Sequence, residues 1–219
     1  MSTDEIEGEK RAAAEAAAAL VHDGMRVGLG TGSTVRYLLP ALAERGLTLR
    51  CVATSPATER LAGELGLVVE PFETLDALDI AIDGADQVAP DGWVIKGGGG
   101  AHTREKVVAA ASARFVVIAS SDKVVDALVP PVPLELLSFG LPATLRLLGD
   151  ARVRPATPPS PDGGVIADYL VAFDDPRALA DRLDRIPGVV EHGLVPATIV
   201  SDALIARGQE VEHRHVVAT

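Results

Sequence analysis

Apolar residues along the 219-residue chain follow two periods in alternation. Residues 9–22 (EKRAAAEAAAALVH) are rich in Ala and predict a helix. Residues 26–29 (RVGL) predict a short buried strand that runs into glycines. Residues 33–45 predict a helix with Ser33 or Thr34 near its N-cap, kinked or shortened by Pro40. A strand at 48–53 and a helix at 56–65, with Pro56 in its first turn, come next. Segments 67–69, 78–82 and 93–95 read as strands, 102–113 as a helix and 115–119 as a buried strand. Strand–helix alternation of this kind predicts a mostly parallel sheet covered on both faces.

The pattern changes at VPPVP (129–133), whose prolines suit a crossing between two units. Strands at 132–136, 151–154, 164–172 and 194–200 then enclose helices at 138–148 and 175–185. That order, β-α-β-β-α-β, is a split βαβ unit of ferredoxin-like type. Loop 155–164 carries four prolines and reads as an exposed hairpin tip. The expected class is therefore α/β: a Rossmann-like domain of residues 1–129 plus 201–219, with a small ferredoxin-like α+β domain at 130–200.

With 47% hydrophobic and 23% charged residues, the chain is not a disordered one. Its single cysteine, Cys51, excludes a disulfide framework and suits a cytoplasmic, reducing setting. No apolar run approaches the roughly 18 residues of a membrane helix. The acidic start MSTDEIEGEK lacks the basic segment of a signal peptide. A net charge of −11 repels phosphodiester backbones, so neither nucleic acid nor membrane is an expected partner. The acid excess fits a salt-adapted surface and an Arg-favouring codon bias equally. Lysines are few: Lys10, Lys96, Lys106 and Lys123.

Three segments could carry chemistry. Gly28-Leu29-Gly30-Thr31-Gly32-Ser33-Thr34 links a strand to a helix, where backbone N–H groups and the helix dipole attract an anion. It lacks the third glycine and the acidic residue of a dinucleotide fingerprint, and it is no Walker loop. Three hydroxyls crowd a turn that needs one cap, which favours a single phosphate over plain capping. Asp83-Gly84-Ala85-Asp86 follows a strand, at the sheet edge where α/β proteins bind ligands. It could hold a metal or sugar hydroxyls, act in acid–base chemistry, or be only an Asp-rich turn. Lys96-Gly97-Gly98-Gly99-Gly100 leads to Glu105 in the first turn of the next helix. Four successive glycines suit a backbone on which a ligand packs directly. Lys123, after the strand FVVIA, and Lys10, in the first helix, could add a positive field for a dianion. His213 and His215 could chelate weakly but read as an exposed tail, and Trp93 as packing.

The stretches VGLGTGSTV, DGADQV, KGGGGAHTREKVVA, SSDKVV, PLELLSFG and PGVVEHGL, in that order from Val27 to Leu194, resemble the ribose-5-phosphate isomerase A family. The resemblance implies reversible isomerisation of ribose 5-phosphate to ribulose 5-phosphate without metal or organic cofactor. It also implies a Rossmann-like catalytic domain, a ferredoxin-like small domain, and a homodimer or homotetramer. By motif, Thr31, Gly32, Ser33 and Thr34 would bind substrate. So would Asp83, Gly84, Ala85 and Asp86, and Lys96, Gly97, Gly98 and Gly99, with Lys123 and an N-terminal contact from Lys10. Glu105 would be the base, with Asp83 and Lys96 as its catalytic partners. Departures are Gln87 for an acid, His102 for a common leucine, Asp162-Gly163-Gly164 for Asn-Gly-Asn, and EHGLV for ENGLF.

Two other readings compete. One is a Mg²⁺ site on Asp83, Asp86 and Glu105 serving phosphatase chemistry. The other is a sugar-phosphate sensor without catalysis. A deaminase of the wider fold group is disfavoured by the motif string.

Overall fold

A computed structural model describes residues 1–216; residues 217–219 of the expected 201–219 return lie outside the described part. The chain begins α1 (Thr3–Ala18), β1 (Arg26–Leu29), α2 (Val35–Ala43), β2 (Arg50–Ala53) and α3 (Pro56–Glu64). It continues β3 (Ile80–Gly84), β4 (Gln87–Val88), β5 (Val94–Ile95), α4 (His102–Ala110) and β6 (Phe115–Ser120). Next come β7 (Val132–Leu136), α5 (Leu141–Leu148), β8 (Ala151–Val153), β9 (Val165–Tyr169) and α6 (Pro176–Leu183). The last elements are β10 (Val189–His192), β11 (Leu194–Val195), β12 (Asp202–Arg207) and β13 (Glu210–His215).

The large sheet has the order β13-β12-β6-β3-β1-β2, all parallel except the β13 edge. Its strands are apolar on both faces because both are covered. Ile82, Val116, Ile118 and Leu204 face α1 and α2, while Ala81, Val117, Ala119 and Ile205 share a second core with Val108 and Ala109 of α4. Ala13, Ala14 and Ala17 of α1 are fully buried, and their small side chains let that helix lie close on the sheet. The second sheet is antiparallel with the order β10-β7-β9-β8. Counted from β7, that is 4-1-3-2, a split βαβ arrangement backed by α5 and α6. Trp93 is buried in the core of this region, as packing.

Several boundaries differ from the sequence reading. Helix α1 starts six residues before the expected position 9 because Ser2 and Glu5 form a reciprocal capping box. It ends at Ala18, so residues 19–22 are not helical. Pro40 lies inside the nine-residue α2. Residues 67–69 contribute only a single bridge, Val69 to Cys51. The fourth small-sheet strand is 189–192, not 194–200. Gly193 diverts the chain: its N–H donates to Pro133, its carbonyl accepts from Lys96, and a Cβ there would overlap the Lys96 carbonyl. Leu194 and Val195 then pair with β5 in a separate three-stranded sheet. The half-exposed β10 hides its period, whereas the apolar run after Gly193 mimics a strand. His213 and His215 are no tail: they sit on β13, and both ring nitrogens meet Asp202 Oδ1, at 2.8 and 2.6 Å. Residues 155–159 are exposed as expected of a hairpin tip, but Ser160 is buried.

Candidate active site

Three ionisable side chains meet at the carboxyl ends of the central strands. Asp83 is the fourth residue of β3, Lys96 follows β5, and Glu105 lies in the first turn of α4. All three are buried, at 2%, 3% and 4% exposure. The Lys96 ammonium is 2.9 Å from Asp83 Oδ2 and 3.2 Å from Glu105 Oε2. It also donates to the Gly84 carbonyl. Asp83 Oδ1 accepts from the N–H groups of Thr31 (3.1 Å) and Gly84 (2.7 Å). Gly30 has to be glycine, because any Cβ would overlap the Asp83 carboxyl group. Asp83 Oδ2 and Glu105 Oε2 are within ion-pair range of Lys96 but have no aligned donor. Two buried acceptors therefore keep lone pairs available to a ligand.

Burial, reinforced by the Asp83 charge, pushes the Glu105 carboxyl up to about 8. Burial likewise raises Asp83, against the opposing pull of Lys96. Burial alone would lower Lys96, but the charges of Asp83 and Glu105 outweigh it and raise the ammonium above its ordinary value. The result is a permanent cation between two carboxyl groups, one of them poised to exchange a proton near neutrality.

The glycine-rich loop closes the site. Gly97 has φ +107°, and a Cβ there would come within 2.7 Å of the His102 ring. Gly98 donates its N–H to Asp86 Oδ2 at 2.7 Å, so within the run expected to meet a ligand directly this amide is already engaged. Opposite lies the turn before α2. Thr34 occupies the N-cap of α2 without making a side-chain cap, so the capped-turn alternative fails. Thr31 Oγ1 meets Thr54 Oγ1 at 2.7 Å. A cleft of about 110 Å³ is lined by Thr31, Gly32, Ser33, Thr34, Gly84, Ala85, Asp86, Lys96, Gly97, Gly98, Gly99, Glu105 and Lys123. Asp83 stands directly behind its wall.

Lys10 is not among the residues lining this cleft. It pairs with Glu7 of its own helix at 2.6 Å, and Glu7 also accepts from Tyr37. Lys123 lines the cleft while touching Asp122 at 3.1 Å. The Mg²⁺ arrangement does not fit this donor set, because the Lys96 ammonium fills the place between Asp83 and Glu105 that a cation would need.

A larger cleft, about 480 Å³, runs past α6 and β10 with Lys106, Asp184, Glu191 and His192 on its walls. Its Lys106, Asp184, Glu191 and His192 side chains are matched to one another or to the backbone. Lys106 pairs with Glu191, while His192 Nδ1 accepts from Leu194 N–H and its Nε2 faces Asp184 at 3.1 Å. Burial drops His192 to about 3 and His102 to about 4, so both rings stay neutral.

Sequence reasoning missed a second ring of polar residues. Glu135 of β7, 2% exposed, accepts from Thr103 at the start of α4 and from Ser160 of the β8–β9 loop. Arg154, just after β8, is held by Asp168 of β9 and donates to the carbonyls of Gly97 and Gly98. These contacts join residues 14 to 57 positions apart, and the sequence pattern does not pair them.

Fold and site together define an α/β enzyme type, with a buried ammonium between two carboxyl groups beside a cleft lined by glycines and hydroxyls. Residues 50–210 match the family model described as ribose 5-phosphate isomerase A (phosphoriboisomerase A). The ribose-5-phosphate isomerase A of Sphingopyxis alaskensis is 45% identical over 94% of this chain and 96% of that protein. The structure of ribose 5 phosphate isomerase A from Neisseria gonorrhoeae superposes with TM-score 0.92 at 30% identity, covering 97% and 98% of the two chains. A D-ribose-5-phosphate isomerase in complex with phospho-erythronic acid gives 0.90 at 32%, covering 98% and 100%. The chain belongs to the ribose 5-phosphate isomerase A family.

Proposed function

We propose that this protein interconverts D-ribose 5-phosphate and D-ribulose 5-phosphate through an enediolate, with Glu105 as the base. One observation carries the reading: Glu105 is a buried carboxylate raised to about 8, with an unmatched oxygen 3.2 Å from a buried ammonium. Glu105 takes the C2 proton of the open-chain aldose and returns it to C1. The hydroxyl proton moves from O2 to O1, and Asp83, whose Oδ2 has no aligned donor, is its relay and assists opening of the ring. Lys96 carries the charge that builds on oxygen. A preorganised donor of this kind is typically worth about 3 kcal/mol of barrier. Asp86, with one oxygen on Gly98 N–H, offers the other to a sugar hydroxyl. Ser33, Thr34, the uncapped α2 N-terminus and Lys123 take the phosphate. That remote anchor positions C1 and C2 over Glu105.

The test is turnover of ribose 5-phosphate in ²H₂O. Proton transfer through Glu105 puts solvent deuterium at C1 of the ketose. Glu105→Gln should lose turnover by a factor of about 10³ or more while still binding the sugar phosphate. Full turnover by that variant removes Glu105 from the base role; binding without any wild-type turnover favours the sensor reading.

We further infer a cytoplasmic homo-oligomer, dimer or tetramer, built from a catalytic unit (1–129 with 201–219) and a small unit (130–200). Phe139, 90% exposed, and Leu147, 58% exposed, leave apolar surface on the small unit that a second copy would cover. Sedimentation of the wild type and of Phe139→Ser tests this: an unchanged assembly removes that face from the contact.

A further inference from the structure

The family resemblance places Gly97, Gly98 and Gly99 against the substrate beside Lys96, yet glycines have no side chains to hold a shape. Gly98 and Gly99 are exposed, and among the described residues the Thr31 methyl alone comes within 4 Å of a Gly99 Cβ, at 3.8 Å. The loop is held instead from the small unit. Arg154 Nη1 donates to Gly97 O and to Gly98 O, each at 3.0 Å. The rest of its guanidinium is locked by Asp168, with Nε to Oδ2 at 2.8 Å and Nη2 to Oδ1 at 2.7 Å. Both side chains are mostly buried.

Peptide geometry turns this grip into a direction. In a trans peptide the C=O and N–H point opposite ways. The Gly97 carbonyl shares its plane with Gly98 N–H, and the Gly98 carbonyl with Gly99 N–H. Holding both carbonyls toward Arg154 aims both N–H groups the other way. Gly98 N–H then meets Asp86, which lines the cleft, and Gly99 N–H is aimed at the side where the substrate oxygen would lie. A cation on the carbonyl ends also polarises both peptides and strengthens their N–H groups as donors.

We propose that Arg154, oriented by Asp168, is a positioning residue for the isomerisation: it fixes and polarises the Gly97–Gly99 cradle without touching substrate. This rests on the isomerase reading. Only the guanidinium fork fits the task, because one nitrogen serves two carbonyls while two others face a carboxylate.

The experiment measures kcat and KM for ribose 5-phosphate together with amide hydrogen exchange of the segment 96–101, in wild type, Arg154→Met, Arg154→Lys and Asp168→Asn. Arg154→Met should lower kcat by about tenfold or more and shift KM by less than about threefold, because the phosphate end is untouched. Arg154→Lys should not restore kcat. Exchange of the glycine amides should rise about tenfold or more in Arg154→Met, and by less in Asp168→Asn, while α1 and β6 stay protected. If Arg154→Met does not fold, Asp168→Asn decides: a fall in kcat with faster exchange confined to the glycine segment supports the role. A folded Arg154 variant with kcat within about twofold of wild type, full rescue by Lys, or unchanged exchange of the glycine segment would each overturn it. An inactive wild type would instead sink the isomerase reading, and the exchange arm would still report on the clamp.

Discussion

Replacing Asp83 by Asn tests the electrostatics of the centre most directly. The carboxylate oxygens of Asp83 and Glu105 share one ammonium at 2.9 and 3.2 Å, which limits their separation to about 6 Å. Two unit charges at that distance and an effective dielectric constant near 20 repel by about 3 kcal/mol. At 1.36 kcal/mol per pH unit, the Asp83 charge holds Glu105 up by about 2 units. Burial is the larger cause of the rise to about 8 and persists in the variant. The side-chain oxygen of Asn can still accept from Thr31 and Gly84, so the loop need not move. Its amide turned toward Lys96 would leave the ammonium to Glu105 alone, which lowers the Glu105 value further. A base acts when deprotonated, so the acid limb of kcat/KM should shift to lower pH by about 1–2 units even though the plateau falls with the lost proton relay. The assay is ketose formation from ribose 5-phosphate between about pH 5 and 10, the limb being read independently of its height. An acid limb that stays in place or moves upward would show that Asp83 is not what burdens Glu105.

Other perturbations probe other parts of the site. Lys123→Ala should raise KM more than it lowers kcat, read from saturation curves, because its cation serves the phosphate end; an unchanged KM would deny it that place. Gly30→Ala forces a methyl group into the Asp83 carboxyl, so it should cost about 1–3 kcal/mol in urea unfolding and most of the activity. Activity should survive exhaustive treatment with EDTA, since Lys96 occupies the cation position; loss reversed by Mg²⁺ would return the Mg²⁺ arrangement to consideration.

What could be read from the sequence, and what could not, divides along the range of the contacts. Gly30, Asp83 and Glu105 were legible because each lies at the end of a large-sheet strand or in the first turn of a helix, and such ends share one edge; Lys96, after β5 of the three-stranded sheet, stood out as a cation before a glycine run. The alternation of strands and helices likewise gave the parallel sheet, since the buried strands read as unbroken apolar runs. Lys10 had no direction in the sequence, because a lone cation in an acidic chain carries none; in the structure its neighbour Glu7, one helical turn away, pairs with it. The strand at 189–192 was overlooked because its outward residues are half exposed, and the change of sheet at Gly193 depends on a backbone approach to Lys96 that no hydrophobic pattern encodes.

The same division explains why the catalytic residues are conspicuous and their supports are not. A phosphate or an enediolate constrains backbone and charge within a few residues, which leaves glycine runs and isolated lysines in the sequence. The supports answer to geometry set by the small unit. Glu135 anchors the first turn of α4 through Thr103, Arg154 faces the glycine carbonyls, and Arg104 meets Asp162 at 2.7 Å. Each partner lies far along the chain from the residue it supports. The small sheet therefore acts as a splint: it is far from the reacting atoms in sequence, yet it sets the angle of the helix that carries Glu105 and of the peptides beside Lys96. Errors of about 1 Å in such a centre can cost two orders of magnitude in rate. On this view, substitutions at Glu135, Arg154 and Asp168 act on kcat through geometry, while those at Ser33, Thr34 and Lys123 act on KM.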